Sequence, residues 1–268
     1  MHLIKLEWLK FRKNSVLLLL ALLYLILLPI KLFGGSAMEI QFPGFNNMML
    51  VQFPTVWSFV GYIGNWLVFF FWGFAAIYLV TSEFANRTFR QNVISGLSRH
   101  QMFFAKFNFL LVLAMIATIY YVLVCLLIGF SNYEDTEWSQ VFERADLIPR
   151  YFLMCVGYMS LGLFLGLMVR KTAVAIFLYF TYIMFFELLL RWVIHKEIVN
   201  NKSMHFYPAN AIEDLVPVPV KDFPPARQFI EANAFDFYLT PLEATITSLI
   251  YIILFLVLAY RSVQVRDL

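Results

Sequence analysis

Charge is scarce in this chain. Asp, Glu, Lys and Arg make up 14% of its 268 residues, against about 25% in a soluble domain. That excludes an ordinary soluble enzyme, a disordered chain and a nucleic-acid binder. Cysteine is nearly absent: Cys125 and Cys155 are the two, and both sit in apolar runs. No disulfide framework or zinc motif can be built from them. No Gly-x-x-x-x-Gly-Lys-Ser/Thr string occurs, so the chain is not expected to hydrolyse ATP by itself. What is plentiful is apolar surface: 62% of residues are hydrophobic, with thirty Phe and fourteen Tyr. A water-facing globule of this size cannot hide so many rings, so the solvent for most of the chain is lipid.

Crossing ~30 Å of hydrocarbon at ~1.5 Å per residue takes about 20 apolar residues. Six runs qualify: Val16–Leu32, Val60–Val80, Phe107–Phe130, Phe152–Val169, Thr172–Trp192 and Ala244–Tyr260. The first lacks a small-residue cleavage site and carries Pro29-Ile30-Lys31 at its end, unlike a signal peptide. With the N-terminus inside, the inner segments carry twelve Lys and Arg against Glu7, Glu83 and Asp267. The remaining segments carry eight basic and fourteen acidic residues. The positive-inside bias therefore places both termini in the cytoplasm. No repeat or soluble domain interrupts the pattern, so residues 1–268 are expected to form a single transmembrane domain.

Two inner segments have helical patterns of their own. In HLIKLEWLKFRKNS, Ile4, Trp8 and Phe11 recur at i, i+4 and i+7, with Lys5 and Arg12 off that stripe. This predicts an amphipathic helix lying in the inner headgroup layer, with Trp8 at the interface and Lys10, Arg12 and Lys13 beside it. The plainer alternative is a basic flank that only obeys the charge bias. In TSEFANRTFRQNVISGLSRHQMFFAK, Phe89, Val93 and Leu97 fall at i, i+4 and i+8. Gly96 is placed to end a helix, and Ser98 with Gln101 has capping-box spacing for the next one. A short surface helix, a sharp turn and a long membrane helix are predicted; a solvated loop is the alternative.

This second segment resembles the first cytoplasmic loop of the type-2 ATP-binding-cassette (ABC) exporter permeases. The resemblance rests on Glu83, Arg87-Thr88, Arg90, Ser95-Gly96-Leu97-Ser98-Arg99 and Lys106. The lying N-terminal helix, six spans, inner termini and long last outer loop are similar to that family as well. Many members have Gly just before the Thr; here Arg87 stands there. The resemblance implies an all-α membrane protein: six transmembrane helices, an interfacial N-terminal helix, a cytoplasmic coupling helix before span three, and short outer re-entrant helices before span six. It implies a permease subunit of an ATP-driven exporter in a bacterial cytoplasmic (plasma) membrane, pairing as a homodimer or heterodimer. A separate cytoplasmic ABC ATPase would carry the ATP and Mg, and this chain no cofactor. By position, Glu83, Arg87, Thr88, Arg90 and Arg99 would couple to that ATPase. Read from the residues alone, the same arginines are charges that set topology.

Span interiors bear on the energy source. Five of the six hold no ionisable residue, so a proton relay has little to use. The exception is Glu187 and Arg191 in span five, at i, i+4 on one face near its outer end. An ion pair snorkelling to the outer interface is the simplest expectation; a pore-lining role is the other. Glu187, Arg191 and nearby His195 faintly resemble a prenyl-endopeptidase site. However, Phe186 stands where the first Glu of a pair belongs and span six has no His; about three protein ligands are needed for an active metal. In the last outer segment, short helices are expected over Ala209–Leu215 and Pro225–Leu239, joined by an extended link over Val216–Pro224. An ion-coupled or passive transporter or channel, an intramembrane protease and a membrane scaffold are the competing functions.

Overall fold

The computed structural model describes residues 2–37, 48–131, 138–199, 202–219 and 238–265. Among them there is helix and no strand. Helix α1 is His2–Lys13 and α2 is Ser15–Ala37. The chain bends by 84° between them, at Asn14. Its Oδ1 accepts from Val16 N (3.0 Å) and Leu17 N (3.2 Å), so Asn14 is the N-cap that starts a new helix axis. Helix α3 spans Thr55–Ala85 with a wider π turn at Val68–Trp72. The short α4, Thr88–Ile94, follows. Then come α5 (Arg99–Ser131), α6 (Leu147–Val169) and α7 (Thr172–Ile198). A short α8 (Pro208–Glu213) precedes α9 (Pro241–Val265).

Five helices are long and apolar enough to cross a membrane: α3, α5, α6 with its preceding turn, α7 and α9. The bent pair α1–α2 makes a sixth if counted as one span. All run past the apolar runs read from sequence. α3 extends from Thr55 to Ala85, for example, because a helix does not stop where the hydrocarbon does. The expected outer helix over Pro225–Leu239 lies, apart from its final residues, outside the described residues, as does much of the Val216–Pro224 link. The expected Ala209–Leu215 helix is α8.

Helix α6 is the axis of the bundle, packed by α3, α5 and α9. Tyr151, Met154, Cys155, Met159 and Leu163 on it are fully buried. Gly162 makes the closest approach: a Cβ there would stand 2.6 Å from the Gly73 carbonyl oxygen on α3. The Gly162-x-x-x-Gly166 pair is thus used for packing inside the subunit, Gly166 lying against Ile77. Buried tyrosines find hydrogen-bond partners in the apolar interior, where an unmet hydroxyl is costly. Tyr24 and Tyr151 share a 2.8 Å bond, and Tyr121 donates to the Trp57 carbonyl at 2.7 Å. The Tyr121 and Tyr151 rings stack 4.0 Å apart. Helix α7 is the least buried of the long helices. Phe177, Phe185, Phe186 and Leu189 all face outward from it.

Candidate functional site

The base of the bundle is where α1, the foot of α3, α4 and the foot of α5 meet. The surface of α1 that turns inward is Ile4, Glu7 and Phe11; Glu7 is 4% exposed. Trp8, expected at the membrane interface, stands at the edge of this surface, 42% exposed, with its ring stacked on Phe11. The inward position of Glu7 has a partner. Lys106, near the start of α5, donates to Glu7 Oε2 and to Glu83 Oε1, the latter at 2.5 Å. Lys10 closes the set, donating to Glu7 at 2.9 Å and Glu83 at 2.7 Å. Two carboxylates and two ammonium groups therefore join three helices. Burial lowers the affinity of Lys10 for its proton, but Glu83 and Glu7 outweigh it and hold its pKa above the usual lysine value.

From Glu83 the chain turns into α4. Thr88 Oγ1 bonds the Glu83 carbonyl at 3.3 Å. Arg87 at the turn adopts the left-handed conformation, with φ of 57°, which disfavours any side chain with a Cβ. That is the physical reason a glycine suits this position. Phe89 is buried and stacks on Phe84 at 4.5 Å, and Val93 packs inward beside it. The opposite face is exposed: Arg87, Arg90, Gln91 and Ile94, at i, i+3, i+4 and i+7. Ile94 is 77% exposed. A groove of about 370 Å³ lies among Phe84, Arg87, Phe89 and Arg90. The helix ends as its sequence foretold. Gly96 has φ of 98°, Leu97 N bonds Asn92 O, and Gly96 N bonds Val93 O, which is the Schellman pattern. Ser98 and Gln101 then exchange the two bonds of a capping box, at 3.0 and 3.2 Å.

Arg99 points elsewhere than α4 does. Its Nη1 donates to the carbonyls of Val263 (3.2 Å) and Gln264 (2.6 Å), at the last turn of α9. A guanidinium suits the negative end of a helix dipole. Arg170, also left-handed (φ 59°), sits in the tight turn between α6 and α7 and lies over the Phe84 ring at 4.8 Å. Of the basic residues expected on α1, Lys10 joins the ion cluster, while Arg12 and Lys13 are exposed.

At the far end, the expected snorkelling pair is corrected. Glu187 and Arg191 are 2% and 5% exposed and do not form a direct ion pair. Glu187 instead accepts from Ala209 N (2.9 Å) and Asn210 N (2.7 Å), holding the start of α8. Arg191 donates to the Met204 carbonyl (3.1 Å) and contacts His205 Nδ1 (3.0 Å). The reason is winding: Leu190–His195 is a π turn, so an i, i+4 spacing no longer stacks as it would in an α-helix. Asp214 completes this clamp, accepting from Asn210 Nδ2 and Leu239 N, each at 2.9 Å. Burial pushes the Asp214 carboxyl up to about 7. Among the described residues, no group of three His, Cys, Asp or Glu converges as a metal site would require.

Sequence reasoning missed Glu7 and left Lys106 without a role. A lone acid in a basic helix, four residues from an inward Phe, was the available signal. No curated protein matches the chain. The family model of the ABC-2 family transporter proteins matches residues 3–186, which takes in the ion cluster, α4 and the α6–α7 turn. ABC-2 permeases lack ATPase motifs of their own and work with ABC ATPase subunits. With more than half its length matched, this multi-pass membrane chain belongs to the ABC-2 family transporter proteins, as the permease component of an ABC transporter.

Proposed function

We propose that this permease is an exporter subunit whose cytosolic ATPase docks on the exposed stripe Arg87, Arg90, Gln91 and Ile94 of α4. What carries the reading is the division of α4 into two faces. One face is locked to the bundle by Phe89 on Phe84; the other offers two arginines, an amide and a bare isoleucine. An arginine fork binds carboxylates and carbonyls at fixed angles, and an exposed apolar side chain rimmed by polar groups suits the centre of a protein contact. Glu83 and Thr88 serve the turn behind this face rather than the contact itself. Movement of α4 passes through Glu83 to Lys106 at the foot of α5 and to Glu7 on α1.

In this reading α1 lies in the inner headgroup layer, both termini are cytoplasmic, and the membrane is a bacterial cytoplasmic membrane. There are six spans, with α2 as the first after the lying α1, and α8 sits at the outer mouth. A second permease copy or homologue completes the path; the outward apolar faces of α7 and α9 are available to it or to lipid. The test is co-purification of the partner ATPase with the permease. Reversing charge at Arg87 and Arg90 together should reduce recovery more than tenfold while the permease keeps its thermal stability. Unchanged recovery would remove α4 as the docking face.

A further inference from the structure

Phe84, at the foot of α3, supports more than α4. Its ring stacks on Phe89 of α4 at 4.5 Å, and the Arg170 guanidinium lies over it at 4.8 Å. Arg170 and Lys171 form the turn between α6 and α7, and that turn is fastened to α3 a second time. Thr172 Oγ1 donates to Thr81 Oγ1 at 2.8 Å, and Thr81 donates on to the Ile77 carbonyl at 3.0 Å. Within the turn, Arg170 N bonds the Gly166 carbonyl of α6, and the Lys171 carbonyl accepts from Ala175 N of α7. The start of α7 and the inner face of α4 therefore share one aromatic support. The Lys171 side chain is exposed and forms no ion pair among the described residues. Arg87, Arg90, Arg170 and Lys171 thus gather at the foot of α3. Glu83, the one acid between Thr81 and Lys106, is buried in the ion cluster and does not answer them. Like charges gathered in this way favour a negatively charged partner surface.

We propose that the docking face continues from α4 onto the α6–α7 turn, where Lys171 pairs with a carboxylate of the same ATPase. The proposal rests on docking at α4 and names the chemistry of the partner. It is an acidic segment whose carboxylates meet Arg87, Arg90 and Lys171 beside the groove of about 370 Å³ lined by Phe84 and Phe89. Arg170 holds the turn in place from the Phe84 ring, and Lys171 makes the contact. A two-residue turn between long helices has little slack. A push on Lys171 is therefore delivered to the start of α7 and, through Thr172, to Thr81 of α3. This route bypasses the ion cluster at the foot of α5. It also acts on the long helix that is least held by its neighbours.

The experiment uses the full-length permease assembled with its ATPase in a neutral detergent free of anionic lipid. A water-soluble carbodiimide joins a lysine amine to a carboxylate in contact with it, and peptide mass spectrometry reads the joined residues. Lys171 should be found linked to an Asp or Glu of the ATPase. Lys171→Arg should abolish the link and keep the complex, since the charge remains. Lys171→Glu should lower ATPase recovery about tenfold, as expected for turning one interfacial attraction into a repulsion, with the melting temperature of the permease unchanged. No link from Lys171 together with full recovery of Lys171→Glu would overturn the proposal, and is the result expected if Lys171 meets only lipid headgroups. Loss of recovery on reversing Arg87 and Arg90 but not Lys171 would likewise overturn it while leaving α4 as the docking face. The reverse pattern would keep the turn and remove α4.

Discussion

Replacing Lys106 with Met tests the ion cluster most directly. The side chain is 5% exposed and is the shared partner of Glu7 and Glu83, themselves 5% and 7% exposed at the side chain. Met keeps the length and apolar stem but removes the charge, leaving two buried carboxylates beside the single ammonium of Lys10. Removing one partner of a buried ion pair costs about 3–5 kcal/mol, because the charge left behind has lost its compensation. Lys10 is a different case: its side chain is 41% exposed, and ion pairs in such positions contribute about 0–1 kcal/mol. Lys106→Met should therefore greatly reduce stability to denaturant in mild detergent, and Lys10→Ala should have a small effect. The triple change Glu7→Gln, Glu83→Gln, Lys106→Met should recover most of the loss, since the uncompensated charges go with their partner. The assay is a denaturant or thermal unfolding series on purified permease, alongside recovery of the ATPase. A Lys106→Met protein as stable as the parent, or a Lys10→Ala protein equally damaged, would refute the argument.

Arg87→Gly should raise stability by about 1 kcal/mol by relieving the left-handed conformation, yet weaken ATPase recovery; Arg87→Ala should weaken recovery without that gain. Gly162→Ala should destabilise the bundle by about 1–3 kcal/mol, because its Cβ would press on the Gly73 carbonyl; an unchanged melting temperature would show that α3 and α6 can move apart freely. Asp214 is raised from its ordinary 3.8 to about 7 by burial, so the folded state holds a proton between those values that the unfolded chain has lost. Its contribution to stability should decline as pH rises from about 4 to about 7. Asp214→Asn should flatten that part of the stability profile, and an unaltered slope would count against a protonated Asp214. Single cysteines at Ile94 and Lys196 should react with an impermeant maleimide from opposite faces of a sealed vesicle; labelling from one face would break the topology.

The layout of the membrane helices was legible because length and apolarity alone specify a span, and the Lys and Arg distribution suggested its orientation. The turn after α4 was legible too, since Gly96 and the Ser98–Gln101 pair are local signals with local geometry. Glu7 was not, because its burial depends on Lys106, ninety-nine positions away. Arg99 reads as a loop charge until the end of α9 is brought beside it. Glu187 and Arg191 were found as a pair but assigned the wrong partners, since a spacing rule for α-helices fails where the backbone takes π turns. Arg87 was noted as a departure from glycine, but the positive φ that gives the departure its meaning belongs to the folded backbone.

Helix α5 runs for 33 residues, about 50 Å at 1.5 Å per residue. Both of its charged fastenings, Arg99 on the tail of α9 and Lys106 on the two glutamates, lie within its first turns. Further along, the same rod is held again, Tyr121 donating to the Trp57 carbonyl of α3 and stacking on Tyr151 of α6. Any tilt imposed at its charged base must therefore be shared with α3 and α6 before it reaches the opposite end of the bundle.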